Sequence, residues 1–181
     1  MEPRGDRFER LFRETYPLVR AYALRRAAPE AAQDVVADTF LVAWRRLDDV
    51  PADALPWLYA TARRVLANQR RSAARGAALE RRLSGAAGAD ARADLGDSVA
   101  DAELVREALG RLSDRSREAL MLVAWEGLDG ARAARAARCS KAAFAVRLHR
   151  ARRQLAAELA VLEALPQPDR SPEPRSLEVG S

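Results

Sequence analysis

The stretch Arg138-Cys139-Ser140-Lys141-Ala142-Ala143-Phe144-Ala145-Val146-Arg147-Leu148-His149-Arg150-Ala151-Arg152-Arg153 decides how this chain is read. Phe144, Leu148, Ala151 and, just beyond, Leu155 recur at steps of four, three and four residues, the period of one helix face. Arg147, Arg150 and Arg153 fall between them and turn outward. Ser140 stands where a helix N-cap belongs, so Arg138–Ser140 reads as a tight turn between two short helices spanning about Ala131–Leu162. A helix-turn-helix needs this combination of an apolar inner face and a basic outer one. Between Gly130 and Ala157 there are eight basic residues (Arg132, Arg135, Arg138, Lys141, Arg147, Arg150, Arg152 and Arg153) and no acid. Ordinary protein surface mixes both signs. A run of one sign points to a polyanionic partner, nucleic acid.

Working outward, the rest of the chain also has helical periodicity. One segment runs from about Asp6 to Arg26, with Phe8, Leu11, Phe12, Thr15, Val19, Tyr22 and Ala23 on one face. After a turn closed by Pro29, a second runs from about Glu30 to Leu47. Its stripe is Val36, Phe40, Ala43, Trp44 and Leu47, and its other face carries Asp34, Asp38, Leu41 and Arg45. A third starts near Asp53, tolerates Pro56 in its first turn, and ends about Arg75. Residues 76–100 include Ser84-Gly85-Ala86-Ala87-Gly88 and have no large apolar face, which predicts a flexible linker. Helices over about Asp101–Leu109 and Ser113–Trp125 then lead into the helix-turn-helix. Pro166, Pro168, Pro172 and Pro174 mark a disordered tail.

The expected fold is all-α: two small helical domains (1–75 and 101–165) joined by a flexible linker (76–100), the C-terminal one a helix-turn-helix, with a tail at 166–181. Too few large side chains lie in the linker to pack against either domain. The two units are therefore expected to move independently in the free chain, with the linker cut first by protease. Ala133 and Ala137 offer little core volume, so the C-terminal unit is expected to melt first. Trp44 and Trp57 are placed in the core.

Composition excludes several classes. The net charge over 181 residues is +5, and its uneven distribution matters more than its size. One cysteine, Cys139, permits no disulfide framework, and with one histidine, His149, there is no zinc set; no cofactor is expected. No apolar run suits a signal peptide or a membrane span, so a cytoplasmic chain with no membrane partner is expected. Asp34 and Asp38 have a spacing that also occurs in metal-dependent hydrolases. No Glu/His pair on another helix completes such a site.

Three motifs resemble one family. Asp34-Val35-Val36-Ala37-Asp38-Thr39-Phe40-Leu41-Val42-Ala43-Trp44 resembles the core-polymerase-binding helix of the extracytoplasmic-function sigma factors of bacterial RNA polymerase. Pro56-Trp57-Leu58-Tyr59-Ala60-Thr61-Ala62-Arg63-Arg64 is similar to the promoter-melting helix that follows it. Glu126-Gly127-Leu128, Cys139-Ser140 and Arg147-Leu148-His149-Arg150-Ala151-Arg152 are similar to the domain that reads the −35 element. The resemblance covers roughly Phe8–Arg75 and Ala102–Ala160.

It implies a sigma factor, not an enzyme, whose partners are core RNA polymerase (through the β′ clamp and β flap), promoter DNA and, as for many members of the family, an anti-sigma factor. It further implies polymerase binding by Asp34, Asp38, Leu41 and Arg45. The −10 element would meet Arg63, Arg64, Asn68, Arg70 and Arg71. The −35 element would meet Ser140, Lys141, Ala142, Ala145, Arg147, Arg150 and Arg153. Charge fits this division: residues 30–53 hold six acids against two bases, and residues 54–79 five bases and no acid. Arg64 and Asn68 depart from the family's usual Asn and Asp, and Arg138 occupies a turn position where glycine is usual. The rival reading from the residues is a helix-turn-helix regulator that never joins the polymerase.

Overall fold

A computed structural model describes residues 3–84 and 99–164, with side chains at 3–76 and 102–164. Most of the expected linker and the whole expected tail lie outside the described residues. Among those described there are seven α-helices and one short 3-10 turn. The N-terminal unit comprises α1 (Arg4–Leu24), α2 (Pro29–Arg45) and α3 (Ala54–Ser84), with the 3-10 turn at Leu47–Asp49 between α2 and α3. The C-terminal unit comprises α4 (Val99–Arg111), α5 (Asp114–Ala124), α6 (Gly130–Ala137) and α7 (Lys141–Ala164). Helix α3 continues nine residues past the expected end at Arg75, because Gly76 alone does not stop a run rich in Ala, Leu, Glu and Arg.

Local chemistry explains the helix ends. Pro29 occupies the first turn of α2, where its missing N–H costs nothing. Ser113 caps α5 by accepting the Ser116 N–H. Asp129 caps α6 by accepting the N–H groups of Ala131 (2.8 Å) and Arg132 (2.9 Å). Those two bonds, Arg132's foremost, hold the Asp129 carboxyl below the usual carboxylate range. At the other end of α6, Arg138 adopts φ 55°, ψ 49°, and the N–H groups of Arg138 and Cys139 close on the carbonyls of Arg135 and Ala134, both at 3.0 Å. This is a Schellman cap on a residue with a Cβ. Arg117 completes α4 by donating to the carbonyls of Leu109, Gly110 and Leu112, a cation placed at the negative end of a helix dipole.

The packing overturns the expected independence of the two units. One continuous core runs from Val19, Tyr22, Val35, Phe40, Leu58, Tyr59, Ala62 and Leu66 into Leu122, Leu128, Ala133, Ala137 and Phe144. A smaller cluster of Leu109, Leu112, Leu120 and Ala151 lies within the C-terminal unit alone. Helix α6 has four buried residues, all alanine: Ala133, Ala134, Ala136 and Ala137. Small side chains let two helix backbones approach, and α6 thereby packs on α3 as well as on α7. Phe144, 1% exposed, fills the volume that alanines leave on the α7 side. The side chains that join the units lie 79 to 101 positions apart in sequence, beyond the reach of any local pattern.

Arg138 is the only non-glycine described residue with positive φ, and this generates a stability prediction. The left-handed region costs a residue with a Cβ about 1–2 kcal/mol, less what glycine loses by freeing the unfolded chain. Arg138→Gly should therefore raise stability by about 0.5–1 kcal/mol. Thermal melting followed by circular dichroism checks this; an unchanged or lower midpoint would show that the arginine side chain compensates the strain.

Candidate nucleic-acid interface

Helix α7 presents the basic face that its period requires. Phe144 and Ala151 are buried and Leu148 and Leu155 half-buried, forming the inner side. Ser140 starts the helix by accepting the Ala143 N–H at 3.1 Å. Around that start Ser140, Lys141, Ala142 and Ala145 are exposed; further along, Arg150 and Arg153 are exposed and Arg147 is half-buried. An open groove of about 610 Å³ runs between α7 and the start of α5, lined by Arg115, Ser116, Ala142, Ala143, Val146, Arg147, Arg150 and Gln154. The Ser116 hydroxyl donates to Gln154 Oε1 at 3.1 Å and ties the two walls together.

Arg115 was missed in the sequence because it lies outside the acid-free run. A signal existed: a cation in the first turn of a serine-capped helix opposes the helix dipole. Such a mismatch is relieved when an anion sits nearby. His149 is exposed and Cys139 half-buried, the latter packed against the core.

On α2, Asp34, Asp38, Leu41 and Arg45 are all exposed on one face, and Leu41 is 45% exposed. Trp44 departs from expectation. It is 41% exposed, held at the rim by Phe8 (ring centroids 5.1 Å apart, edge-on) and by Arg4, which lies over its ring at 5.4 Å. Phe12 and Tyr16 are also exposed, packed on each other at 4.9 Å and on Phe40 at 4.7 and 6.2 Å. Both follow Phe8 at four-residue steps along α1. Of the α1 stripe expected to be core, Thr15, Val19, Tyr22 and Ala23 are buried, Phe8 and Leu11 are half-buried against the core, and Phe12 alone is exposed. Trp57 is half-buried against the core.

The five residues expected to meet the −10 element divide. Arg64, Asn68, Arg70 and Arg71 are exposed, and Arg71 donates to the Asn68 amide oxygen. Arg70 donates to the Arg26 carbonyl at 3.0 Å, across to the end of α1. Arg63 is half-buried, and its guanidinium donates to the Ala137 carbonyl of α6 at 3.1 Å.

Charged groups flank that contact between the units. The Asp53 carboxylate takes two bonds from Arg132 (2.8 and 3.1 Å) and one from Arg135. On the other side, the Arg26 side chain is 5% exposed and donates to Glu118 and to Glu126, each at 2.8 Å. Arg25 donates to Glu126 as well, and the Tyr22 hydroxyl donates to Glu118 at 2.8 Å. The Arg26 guanidinium lies over the Tyr22 ring at 3.6 Å, and that ring stacks on Tyr59 at 4.6 Å. Burial raises the Tyr22 hydroxyl well above the ordinary tyrosine value against the opposing pull of Arg26. Burial, with Glu126 adding to it, pushes Tyr59 up to about 12. Burial works against the charge on Arg26, yet Tyr22, Glu118 and Glu126 together outweigh it and hold the guanidinium firmly protonated.

The family pattern of sigma-70 region 2 matches residues 11–76, and that of sigma-70 region 4 matches residues 102–155. RNA polymerase sigma factor NccH of Alcaligenes xylosoxydans xylosoxydans is 33% identical over 144 residues, covering 72% of this chain and 75% of that protein. Among solved structures, the sigma factor RpoE bound to the anti-sigma factor NepR from Bartonella quintana superposes with a TM-score of 0.63 and 26% identity, over 85% of this chain and 97% of that one. CnrH in complex with the cytosolic domain of CnrY gives 0.58 and 27%, over 85% and 88%. A regulator acting apart from the polymerase accounts for the helix-turn-helix but not for a region 2 unit ahead of it. The chain belongs to the extracytoplasmic-function group of the sigma-70 family, proteins that bind core RNA polymerase and direct it to promoters.

Proposed function

We propose a division of that work among the faces described above. The exposed α2 face of Asp34, Asp38, Leu41 and Arg45, widened by Trp44, takes the β′ clamp of the polymerase. Helix α3 receives the non-template strand of the −10 element through Arg63, Arg64, Asn68, Arg70 and Arg71. Opening duplex costs on the order of a few kcal/mol per unstacked step, which capture of the displaced strand offsets. At −35, Ser140, Lys141, Ala142 and Ala145 approach base edges while Arg147, Arg150, Arg153 and Arg115 hold phosphates.

The observation that carries this reading is the pairing of two exposed surfaces of opposite character on one chain, an acidic and aromatic face on α1 and α2 and an acid-free basic face on α7. The C-terminal unit further meets the β flap, and the chain acts in the cytoplasm as a non-catalytic subunit. No helix among the described residues is long and apolar enough to cross a membrane. Capture by an anti-sigma protein belongs to the same reading, supported by the NepR complex of the RpoE relative. Transcription in vitro with core polymerase and genomic DNA, with start sites mapped, tests the whole. Failure to produce defined starts would remove the division of roles.

Two sets of variants test the faces. Asp34→Arg with Asp38→Arg should abolish holoenzyme assembly through like-charge repulsion while leaving helicity and isolated −35 binding unchanged. Assembly at wild-type affinity would remove the clamp from this face. Lys141→Ala should change which −35 sequences are preferred. Arg150→Ala and Arg115→Ala should each weaken all sequences alike and make the salt slope shallower by about one unit. A slope that stays at the wild-type value places that arginine off the DNA.

A further inference from the structure

We propose that Gln154 binds a backbone phosphate of the −35 duplex, with Ser113 and Ser116 as positioning residues that hold its amide with the donors outward. The proposal deepens the reading of α7 given above and rests on it.

A one-way chain of hydrogen bonds crosses the groove between α5 and α7. The Ser116 N–H donates to Ser113 Oγ at 3.3 Å, the Ser113 hydroxyl donates to Ser116 Oγ at 3.0 Å, and the Ser116 hydroxyl donates to Gln154 Oε1 at 3.1 Å. Each hydroxyl accepts one proton and passes on its own, and the direction is set by the backbone N–H, which can only donate. Turning the Gln154 amide over would aim its NH2 at a hydroxyl that already accepts from Ser113, and would leave the Ser116 proton without that acceptor. Ser116 is only 9% exposed, so water competes little for its hydroxyl. Gln154 is exposed. Its oxygen is engaged, and the two Nε2 protons remain for a ligand.

The rest of the groove decides which ligand. Arg115, Arg147 and Arg150 line it without a carboxylate partner among the described residues, and no acid shares the lining. Three guanidiniums and one held NH2 offer donors with no free side-chain acceptor, a set that suits an acceptor-only anion. Ala142 and Val146, the latter 51% exposed, add an apolar floor that matches the deoxyribose beside a phosphate. Lys141 and Ala145, assigned to base edges, stand turns earlier along α7. Phosphodiester is what remains for this end of the helix to meet. A neutral amide does here what an arginine does not. It displaces no counterion and adds no long-range attraction, but its bond is directional. Held by the serines, it loses little rotamer freedom on binding and fixes one phosphate, and with it the register of α7 on the duplex.

The test uses the full chain and a duplex that it selects from a random-sequence library, with a methylphosphonate placed at each phosphate in turn and binding followed by fluorescence anisotropy. Gln154→Leu should weaken the unmodified duplex about tenfold. It should also lose the wild-type sensitivity to methylphosphonate at one position and keep it at the others. Its salt slope should stay at the wild-type value, in contrast to the shallower slope expected of Arg150→Ala. Ser116→Ala should weaken binding as much as Gln154→Leu, again at unchanged slope, and the two together no further. Ser116→Thr, which keeps the hydroxyl, should restore affinity. Wild-type affinity in Gln154→Leu overturns the contact, as does a loss that leaves every methylphosphonate position as sensitive as before, the result of a general structural defect. Additive losses in the double variant overturn the serine relay. If Arg150→Ala weakens binding and Gln154→Leu does not, the phosphate contact alone falls. If neither variant has an effect, the assignment of α7 to the −35 duplex falls with it.

Discussion

The arrangement of this protein depends on a guanidinium that has been taken out of water. Arg26 lies just past the first helix of one unit, sits over Tyr22, and is paired with two carboxylates of the other unit, 92 and 100 residues along the chain. A buried cation demands its anions in a fixed geometry, because the penalty for a misplaced partner is several kcal/mol or more. Apolar packing alone tolerates sliding and rotation. The ion pairs do not, so they determine which side of α3 meets α6 and hence which α3 side chains are covered.

The alanine helix α6 is the counterpart of that constraint. Larger aliphatics at Ala133 and Ala137 would keep α6 further from α3, and the carbonyl of Ala137 would no longer meet Arg63. Phe144 restores volume on the side of α7, which keeps the helix-turn-helix packed while the outer side of α6 stays flat. The same alanines that weaken the expected core of an isolated C-terminal unit thus favour its contact with the N-terminal one. Stability of the separate unit and contact between the two draw on one set of side chains.

The aromatic surface of α1 and α2 shows the opposite trade. Phe12, Tyr16, Leu41 and Trp44 remain between 37% and 45% exposed, although burying them would release roughly 25 cal/mol for each Å² of apolar surface. Contiguous exposed apolar surface of this kind marks a binding face. Here it adjoins Asp34 and Asp38, so the surface combines area with charge, and a partner with an apolar and basic face matches both. The fold keeps that side free while the opposite side of the N-terminal unit is covered by α6.

The sequence by itself determined the helices, their caps at Ser113 and Ser140, the inner face of α7 and its basic outer face. It also determined the exposure of Asp34, Asp38, Leu41 and Arg45, and the strain at Arg138. These are local properties: a helix repeats every three or four residues, a cap acts within one turn, and a turn conformation concerns a single residue. Tertiary structure alone decided that Trp44 and Phe12 stay at the surface, because the aromatics of α1 (Phe8, Phe12 and Tyr16) and of α2 (Phe40 and Trp44) pack on one another at the rim of the two helices. It alone decided that Arg115 joins the groove of α7, and that α3 and α6 share a core. Above all it decided the pairing of Arg25 and Arg26 with Glu118 and Glu126. In the sequence these are ordinary charged residues, Glu118 within a helix and the other three just past helix ends. Nothing local distinguishes an arginine destined for burial from one destined for solvent, since the difference lies in partners that only the folded chain brings within hydrogen-bond reach.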